Sequence, residues 1–185
     1  MLNEFHLGLA VRALRAGGIV LHATEGVWGL ACDPHNPQAL IALLELKQRR
    51  SDKGLILIGG SITDFAQELA QLAPADRQAI TASWPGPVTW LLPSGRFLPL
   101  VTGFRSTVAV RVPGHPQARA LCQRFGGPLV STSANISSRP AARNRFQAIR
   151  TFGRSVAFVL PGETLGRRGP SEIRLLAGDL VRAGA

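Results

Sequence analysis

The sequence is short of several residue types on which common protein classes depend. It has 185 residues, with no tyrosine, one methionine and two cysteines, Cys32 and Cys122. Two cysteines so far apart cannot form a disulfide framework or a metal knuckle, so we expect two reduced thiols. No apolar run approaches the ~20 residues that span a bilayer, and no secretory signal is visible. We therefore expect one cytoplasmic domain over residues 1–185 with no membrane partner.

The loops by which many enzymes hold nucleotides or activate a nucleophile are also absent. The sequence contains no G-x-x-x-x-G-K-[ST] phosphate loop, no G-x-G-x-x-G motif after a strand and no G-x-S-x-G elbow. Its four histidines lack metal-ligand spacing, and we interpret each as a surface or packing residue: His6, His22, His35 and His115. We predict no metal site, and a bound nucleotide must be held by another kind of element.

Lysine is nearly absent, and its placement is informative. The chain has two lysines against nineteen arginines, and both lie in one seven-residue window, Lys47–Lys53, ahead of the apolar segment Leu55–Ile58. An ammonium group is a compact, flexible point charge that can grip phosphate oxygens from several angles. The window suggests a polyphosphate or another anionic ligand. A solvated charged loop is the alternative, and the window alone does not decide between them.

Acidic residues are few, and the net charge is +10 with a pI near 11.6. The excess is concentrated late, where eight arginines occur against two glutamates: Arg139, Arg143, Arg145, Arg150, Arg154, Arg167, Arg168 and Arg174. Such a surface attracts polyanions such as tRNA or double-stranded RNA. Because aromatic residues are sparse, we expect the protein to contact the RNA backbone and to recognise RNA shape rather than to stack on bases. Biased codon usage explains the individual arginines equally well.

Helical and strand patterns alternate along the chain. Capping residues and apolar spacing predict helices over 3–16, 37–46, 75–83 and 116–125, and a Ser61-x-x-Asp64 capping box before another. Short apolar runs predict strands at 19–21, 55–58, 88–92, 107–112, 128–130 and 156–160, and around 173–176. Residues 161–171 are the most loop-like stretch. This alternation indicates an α/β fold with a twisted, largely buried sheet.

Polar groups follow several of the predicted strands, where open α/β sheets place their ligands. Thr24-Glu25-Gly26 interrupts the first strand, and Ser131–Asn135 supplies three hydroxyls and an amide directly after another. A Ser/Thr turn or helix cap is the alternative for the second segment. Arg111 ends an apolar strand, where a buried guanidinium needs a partner such as a substrate carboxylate. Ser171 closes the late loop.

In this order, these segments resemble the YrdC/TsaC family of threonylcarbamoyl-AMP synthases, in its short bacterial form. The family pattern Pro-Thr-Glu, Lys-x-Arg, Ser-Thr-Ser-Ala-Asn and Pro-Ser corresponds here to Ala23–Glu25, Lys47–Arg49, Ser131–Asn135 and Pro170-Ser171. Two positions depart from the pattern. Ala23 replaces the proline before Thr-Glu, and Arg50 stands where short bacterial members usually carry proline. Neither change removes a group that the chemistry needs.

The resemblance implies a YrdC-like fold, a twisted mixed sheet flanked by helices, and a specific reaction. L-Threonine, bicarbonate or CO2, and ATP, with Mg2+ accompanying the ATP, give threonylcarbamoyl-adenylate and pyrophosphate for the N6-threonylcarbamoyladenosine modification of tRNA (t6A37). The threonine amine is carboxylated, and a carbamate oxygen then attacks the α-phosphate. A separate threonylcarbamoyl transferase complex would use the product.

Residue roles follow from the same resemblance. Lys47 and Arg49 are the implied catalytic residues. The implied ATP-binding set is Lys47, Arg49, Lys53, Ser133 and Asn135, and the implied threonine-binding set is Thr24, Arg111, Ser131 and Ser171. Two other functions remain open at this point: a carbamoyl-handling enzyme with a different acceptor, and a non-catalytic double-stranded RNA-binding or tRNA-binding module.

Overall fold

The helices begin where the sequence places capping residues. The computed structural model describes residues 3–167, 169–176 and 180–184. Helix α1 (Glu4–Arg15) follows Asn3, whose side chain accepts a hydrogen bond from the His6 N–H at 3.2 Å. Helix α2 (Pro37–Leu46) follows Asn36, which accepts from the Ala39 N–H at 3.0 Å. Both caps satisfy backbone donors that the first helical turn leaves without partners, and both confirm the predicted starts.

The remaining elements agree broadly with the predicted alternation. The other helices are α3 (Ala66–Ala70), α4 (Pro74–Ser83), α5 (Pro99–Thr102), α6 (Pro116–Phe125) and α7 (Arg145–Phe152). The strands are β1 (Val20–Ala23), β2 (Trp28–Cys32), β3 (Ile56–Ile58), β4 (Val88–Pro93), β5 (Thr107–Arg111), β6 (Leu129–Ser133), β7 (Phe158–Val159), β8 (Glu172–Arg174) and β9 (Leu180–Arg182). Short 3-10 helices lie at Ser51–Lys53 and Ile62–Phe65, the second after the predicted capping box.

In the described part of the chain, nine strands form one sheet in the order β7-β1-β2-β6-β3-β5-β4-β8-β9. The pairs β7–β1, β3–β5 and β4–β8 are parallel, and the other five pairs are antiparallel. The predicted α/β class is therefore confirmed, with a mixed sheet flanked by helices. Strand β6 is longer than predicted, because Ser131–Ser133 pair with Gly29–Ala31 of β2 and so continue the ladder.

Each face of the sheet is covered by its own apolar core. Alternate residues along a strand point to opposite faces, so Val20 and Leu129 belong to one core and Leu21 and Val130 to the other. Helices α1 and α6 pack together over the first face. Helices α2 and α7 contribute to the larger core on the second face. Burial on both faces explains why the strands read as continuous apolar runs.

The two thiols are buried and unpaired, as expected from their spacing. Burial raises the pKa of Cys32 to about 12, so its thiol stays protonated near neutral pH. None of the described helices is both long enough and apolar enough to cross a membrane.

Candidate functional site

Three adjoining cavities open beside the central strands, and Arg49 lines all of them. The inner cavity has a volume of about 90 Å³ and is lined by all four residues of the implied threonine set: Thr24, Arg111, Ser131 and Ser171. The cationic groove, of about 310 Å³, is lined by all five residues of the implied ATP set: Lys47, Arg49, Lys53, Ser133 and Asn135. The structure thus brings the nine residues together around two neighbouring cavities, with Arg49 and Ser133 lining both.

The inner cavity lies on the same face of the sheet as helices α1 and α6. Ile56, Arg111 and Ser131 line the cavity. They alternate in phase with Ile58 and Leu129, which belong to the core beneath those two helices. Ser131 therefore stands on a rigid strand rather than in a Ser/Thr turn.

One wall of the inner cavity is the turn between β1 and β2. The Thr24 hydroxyl donates a hydrogen bond to the Val27 carbonyl at 2.7 Å, which closes the turn. The late segment packs directly on this turn, because the Arg167 N–H donates to the Glu25 carbonyl at 3.1 Å. A Cβ at Gly26 would clash with backbone carbonyls of the late segment and would lie 2.8 Å from the Arg167 oxygen. Glycine at this position lets the segment that carries Ser171 approach the cavity.

Arg111 enters the inner cavity with a protein partner, Glu25, that was not predicted from the sequence. Its Nη1 lies 3.4 Å from Oε2 of Glu25, and both side chains are 9% exposed. The other Glu25 oxygen accepts from the Gly114 N–H at 2.7 Å. Burial lowers the pKa of the Arg111 guanidinium, while the Glu25 carboxylate opposes that shift. Because an arginine does not lose its proton in proteins, the cavity contains a permanent cation.

Several buried donors around the inner cavity lack acceptors. Among the described residues, Nε1 of Trp28 and Nε of Arg49 and Arg111 make no hydrogen bond, and all three residues line the cavity. A buried donor without a partner costs about 1–3 kcal/mol. Carboxylate, carbamate or phosphate oxygens would satisfy these groups. The electrostatics of the cavity therefore favour an anionic ligand.

Lys47 and Arg49 diverge because helix α2 ends in a Schellman motif. The Arg49 N–H donates to the Leu44 carbonyl and the Gln48 N–H to the Glu45 carbonyl, each at 2.9 Å. Gln48 takes the left-handed position of the motif, with φ of 49°. The reversal buries Lys47 while Arg49 turns toward the cavities.

The Lys47 ammonium is bound by the segment that follows strand β6. Its Nζ donates to the backbone carbonyls of Ser133 and Asn135, the second at 2.9 Å, and reaches Oδ1 of Asn135 at 3.3 Å. Burial lowers the pKa of Lys47 to about 7, and the charge of Arg49 acts in the same direction. All three ammonium donors are thus directed at protein oxygens. Lys47 holds the Ser133–Asn135 segment in place and adds charge beneath the groove.

Arg49 and Lys53 present cations to the groove itself. Nη2 of Arg49 donates to the Gly54 carbonyl at 3.0 Å, which fixes the guanidinium at the junction of the cavities. Lys53 is exposed at the rim. Opposite them, the Ser133 hydroxyl donates to Oδ1 of Asn135 at 2.6 Å. The groove therefore combines two accessible cations with a braced polar segment, which suits a polyphosphate.

The third, outer cavity has a volume of about 360 Å³ and shares Arg49, Lys53, Leu55 and Ile56 with its neighbours. Most of its wall is aliphatic: Leu55, Ile56, Leu91, Val101, Ala109, Ile173 and Val181. A largely apolar cavity next to a cationic groove can take a flat ring attached to a phosphate chain.

His22, which the sequence indicated only as a surface or packing residue, is a further residue of this site. It is fully buried in β1, and its Nε2 lies 3.0 Å from Oγ of Ser131. Its neighbours Ile19–Leu21 are apolar and buried, so a histidine within this strand requires a buried hydrogen-bonding partner. That requirement was the available signal for His22, although the sequence could not identify the partner.

The late arginines are mostly on the surface. Arg139, Arg143, Arg145, Arg150, Arg154 and Arg167 are exposed. Arg174 is half-buried, pairs with Glu172 and lies over the Trp90 ring at 5.9 Å. Arg168 lies outside the described residues. No group of three or more His, Cys, Asp and Glu side chains in the described part of the chain is arranged to hold a metal ion.

A family model and individual relatives both match this protein over almost the whole chain. Residues 12–184 match the family model Sua5/YciO/YrdC, which carries the description "Telomere recombination". A threonylcarbamoyl-AMP synthase of Pseudomonas fluorescens is 48% identical over 186 residues, covering 98% of this chain and 99% of that protein. Another, from Nitrosococcus oceani, is 47% identical over 172 residues, covering 92% of this chain and 93% of that protein.

Solved structures agree on the fold. P. abyssi Sua5 complexed with L-threonine matches with a TM-score of 0.90 and 28% identity over 98% of this chain. The match covers 55% of that Sua5 chain, so the present protein spans just over half its length. E. coli YciO matches with a TM-score of 0.87, at 20% identity, over 99% of this chain and 91% of its own.

Proposed function

Because this chain belongs to the Sua5/YciO/YrdC family, we propose that it is an ATP-dependent enzyme that makes threonylcarbamoyl-AMP for tRNA modification. One observation carries the proposal beyond relatedness: the implied threonine and ATP sets line two adjoining cavities that share Arg49 and Ser133. The reaction joins an amino-acid derivative to a nucleotide. Two cavities that meet at a cation supply the arrangement that such a reaction requires.

The inner cavity holds L-threonine in this proposal. Arg111 binds the carboxylate, using the Nε–H that otherwise lacks an acceptor, while Glu25 keeps the guanidinium oriented. Thr24, Ser131 and Ser171 surround the rest of the amino acid. Bicarbonate supplies the CO2 that the threonine amine takes up to become a carbamate. The carbamate then lies toward Arg49, which borders both cavities.

The cationic groove holds the triphosphate of ATP. A carbamate oxygen attacks the α-phosphorus, an O–P bond forms, and the bond to the pyrophosphate leaving group breaks. Positioning and charge neutralisation account for most of the rate of such a displacement. Arg49 and Lys53 contact phosphate oxygens, whereas Lys47 acts through its charge and through the Ser133–Asn135 segment that it holds. The apolar outer cavity accommodates adenosine. Mg2+ enters bound to the ATP phosphates.

The exposed late arginines are our proposed contact for tRNA or for the threonylcarbamoyl transferase complex that consumes the product. Six exposed guanidinium groups on one late stretch give a strongly positive surface. We further propose that residues 1–185 act as one domain and that the protein works in the cytoplasm, where tRNA is modified.

The test of the proposed function is pyrophosphate release from ATP and bicarbonate, with L-threonine and with L-serine. We expect release that requires both threonine and bicarbonate and that Arg49→Met abolishes. Arg12→Met, on the exposed surface of α1, is the matched control and should retain full activity. Release without threonine would indicate a carbamoyl-handling enzyme with another acceptor. No release from a folded protein that binds RNA would indicate a binding module instead.

A further inference from the structure

The side chain of His22 crosses one strand to reach Ser131, which lines the inner cavity. His22 lies on β1 and Ser131 on β6, with β2 between them. Gly29 of β2 pairs with His22, and a Cβ there would lie 3.0 Å from Nε2 of His22 and 3.2 Å from Oγ of Ser131. The absence of a side chain at Gly29 therefore leaves the space in which the imidazole and the serine hydroxyl meet.

The surroundings of the imidazole determine its tautomer. Nδ1 of His22 lies 3.1 Å from the carbonyl oxygen of Ala23, which can only accept a hydrogen bond. Burial lowers the pKa of His22 to about 4, and nearby His115 and Arg111 act in the same direction, so the ring is neutral at pH 7. A neutral imidazole carries one N–H, and here that N–H is at Nδ1. Nε2 is therefore an acceptor, and the Ser131 hydroxyl donates to it.

With His22 in this tautomer, the Ser131 oxygen can offer only its lone pairs to a ligand in the cavity. Its proton points away from the cavity toward Nε2, and Ser131 itself lines the cavity. The Thr24 oxygen is likewise available only as an acceptor, because the Thr24 hydroxyl donates its proton to the Val27 carbonyl. The cavity thus presents two hydroxyl oxygens as acceptors beside the cation of Arg111. An α-amino acid has the complementary groups, an N–H donor next to a carboxylate.

We infer that His22 is a positioning residue that fixes the Ser131 hydroxyl as a hydrogen-bond acceptor for the amino group of the amino-acid substrate. The inference rests on the proposed function, since it places threonine in the inner cavity. His22 does not touch the substrate. It selects substrates that carry an amine, because without the acceptor at Nε2 the Ser131 proton is free to turn into the cavity, where it opposes an ammonium or amine donor.

The test compares the binding of L-threonine with that of (R)-3-hydroxybutanoate, the same molecule without its amine, by titration calorimetry in the absence of ATP. His22→Gln and His22→Asn form a matched pair. A glutamine oxygen reaches the position of Nε2 and can accept the serine proton, whereas an asparagine amide reaches only the position of Nδ1. We expect wild type and His22→Gln to prefer threonine, and His22→Asn to lose about tenfold or more of that preference, the effect of one hydrogen bond to a charged group.

His22→Asn should weaken the binding of L-threonine alone and should leave the affinities for (R)-3-hydroxybutanoate and ATP unchanged. In a Ser131→Ala background, His22→Asn should cause no further loss, because the two residues act through one hydrogen bond. Equal preference for threonine in His22→Asn and His22→Gln would overturn the inference, as would equal loss of both ligands. Failure of the wild-type protein to bind threonine would instead contradict the proposed function itself. If His22→Asn does not fold, Ser131→Ala alone must lose the preference for threonine, and an unchanged preference would overturn the inference.

Discussion

The ion pair between Glu25 and Arg111 should be far more important for stability than its length suggests. The two groups are 3.4 Å apart, and each side chain is 9% exposed. A second pair, Arg50–Asp52, is shorter at 2.7 Å, but its side chains are 79% and 47% exposed. Distance alone ranks the exposed pair higher. Burial reverses the order, because water screens the exposed pair and cannot solvate a buried guanidinium that loses its partner.

The expected magnitude follows from the burial of both groups. Glu25→Ala leaves the Arg111 cation buried without its carboxylate and removes the acceptor of the Gly114 N–H. Breaking one side of a buried pair costs about 3–5 kcal/mol. In a protein of this size, 1 kcal/mol shifts the melting temperature by about 2–4 °C, so we expect a decrease of roughly 6–20 °C. Asp52→Ala should leave the melting temperature unchanged.

Thermal denaturation followed by circular dichroism measures both variants under the same conditions. Glu25→Gln should fall between wild type and Glu25→Ala, because its amide oxygen still accepts from Gly114 but carries no charge. L-Threonine at saturating concentration should stabilise Glu25→Ala, because the substrate carboxylate becomes the partner of Arg111. A similar shift for Glu25→Ala and Asp52→Ala would show that the buried pair stabilises the fold no more than the exposed pair does.

Four further predictions concern the cavities and the surface. Gly26→Ala should disrupt the packing of the late segment and reduce adenylate formation, whereas Gly95→Ala, where a Cβ meets nothing within 4 Å, should leave the measured rate unchanged. Lys47→Met should lower kcat/KM for ATP by roughly 100-fold through displacement of the segment after β6, with melting still cooperative. Since the pKa of Lys47 falls from 10.5 to about 7 on folding, the unfolded chain binds more protons between these values. Denaturant titrations should therefore show stability rising from about pH 7 to pH 10.5 more steeply in wild type than in Lys47→Met. Filter binding should show tRNA affinity falling steeply with salt, and Arg143→Gln with Arg145→Gln should flatten that slope, whereas an unchanged slope would contradict the proposed surface.

The sequence was sufficient to predict the elements whose ends carry a local signal. Asn3 and Asn36 start helices because their side chains cap the first turn, and that interaction involves only neighbouring residues. Helix α7 was not predicted, although Asn144 caps it in the same way, with a 2.9 Å bond to the Gln147 N–H. Its eight residues, about two turns, carry little apolar periodicity, so the helix depends on Ala148 and Phe152 packing into the core.

The site was predictable as a set of residues but not as a set of contacts. Ser131, Arg111 and Lys47 were identifiable from their residue types and positions. Lys47 donates its hydrogen bonds to the Ser133–Asn135 segment, which lies more than 80 residues away in the sequence. No local sequence pattern predicts a contact of that kind. Glu25 and His22 were missed as partners for the same reason. Each meets its partner through the order of strands in the sheet, which alternation of helices and strands leaves undetermined.

Identification of the product is the decisive measurement for the proposed synthase function. The protein is incubated with ATP, L-threonine and 13C-labelled bicarbonate, and the adenylates are analysed by mass spectrometry. We predict threonylcarbamoyl-AMP that carries the label, formed in step with pyrophosphate and absent when threonine is replaced by serine. Pyrophosphate released with unlabelled AMP alone, or a labelled adenylate that lacks threonine, would rule out the proposed synthase function.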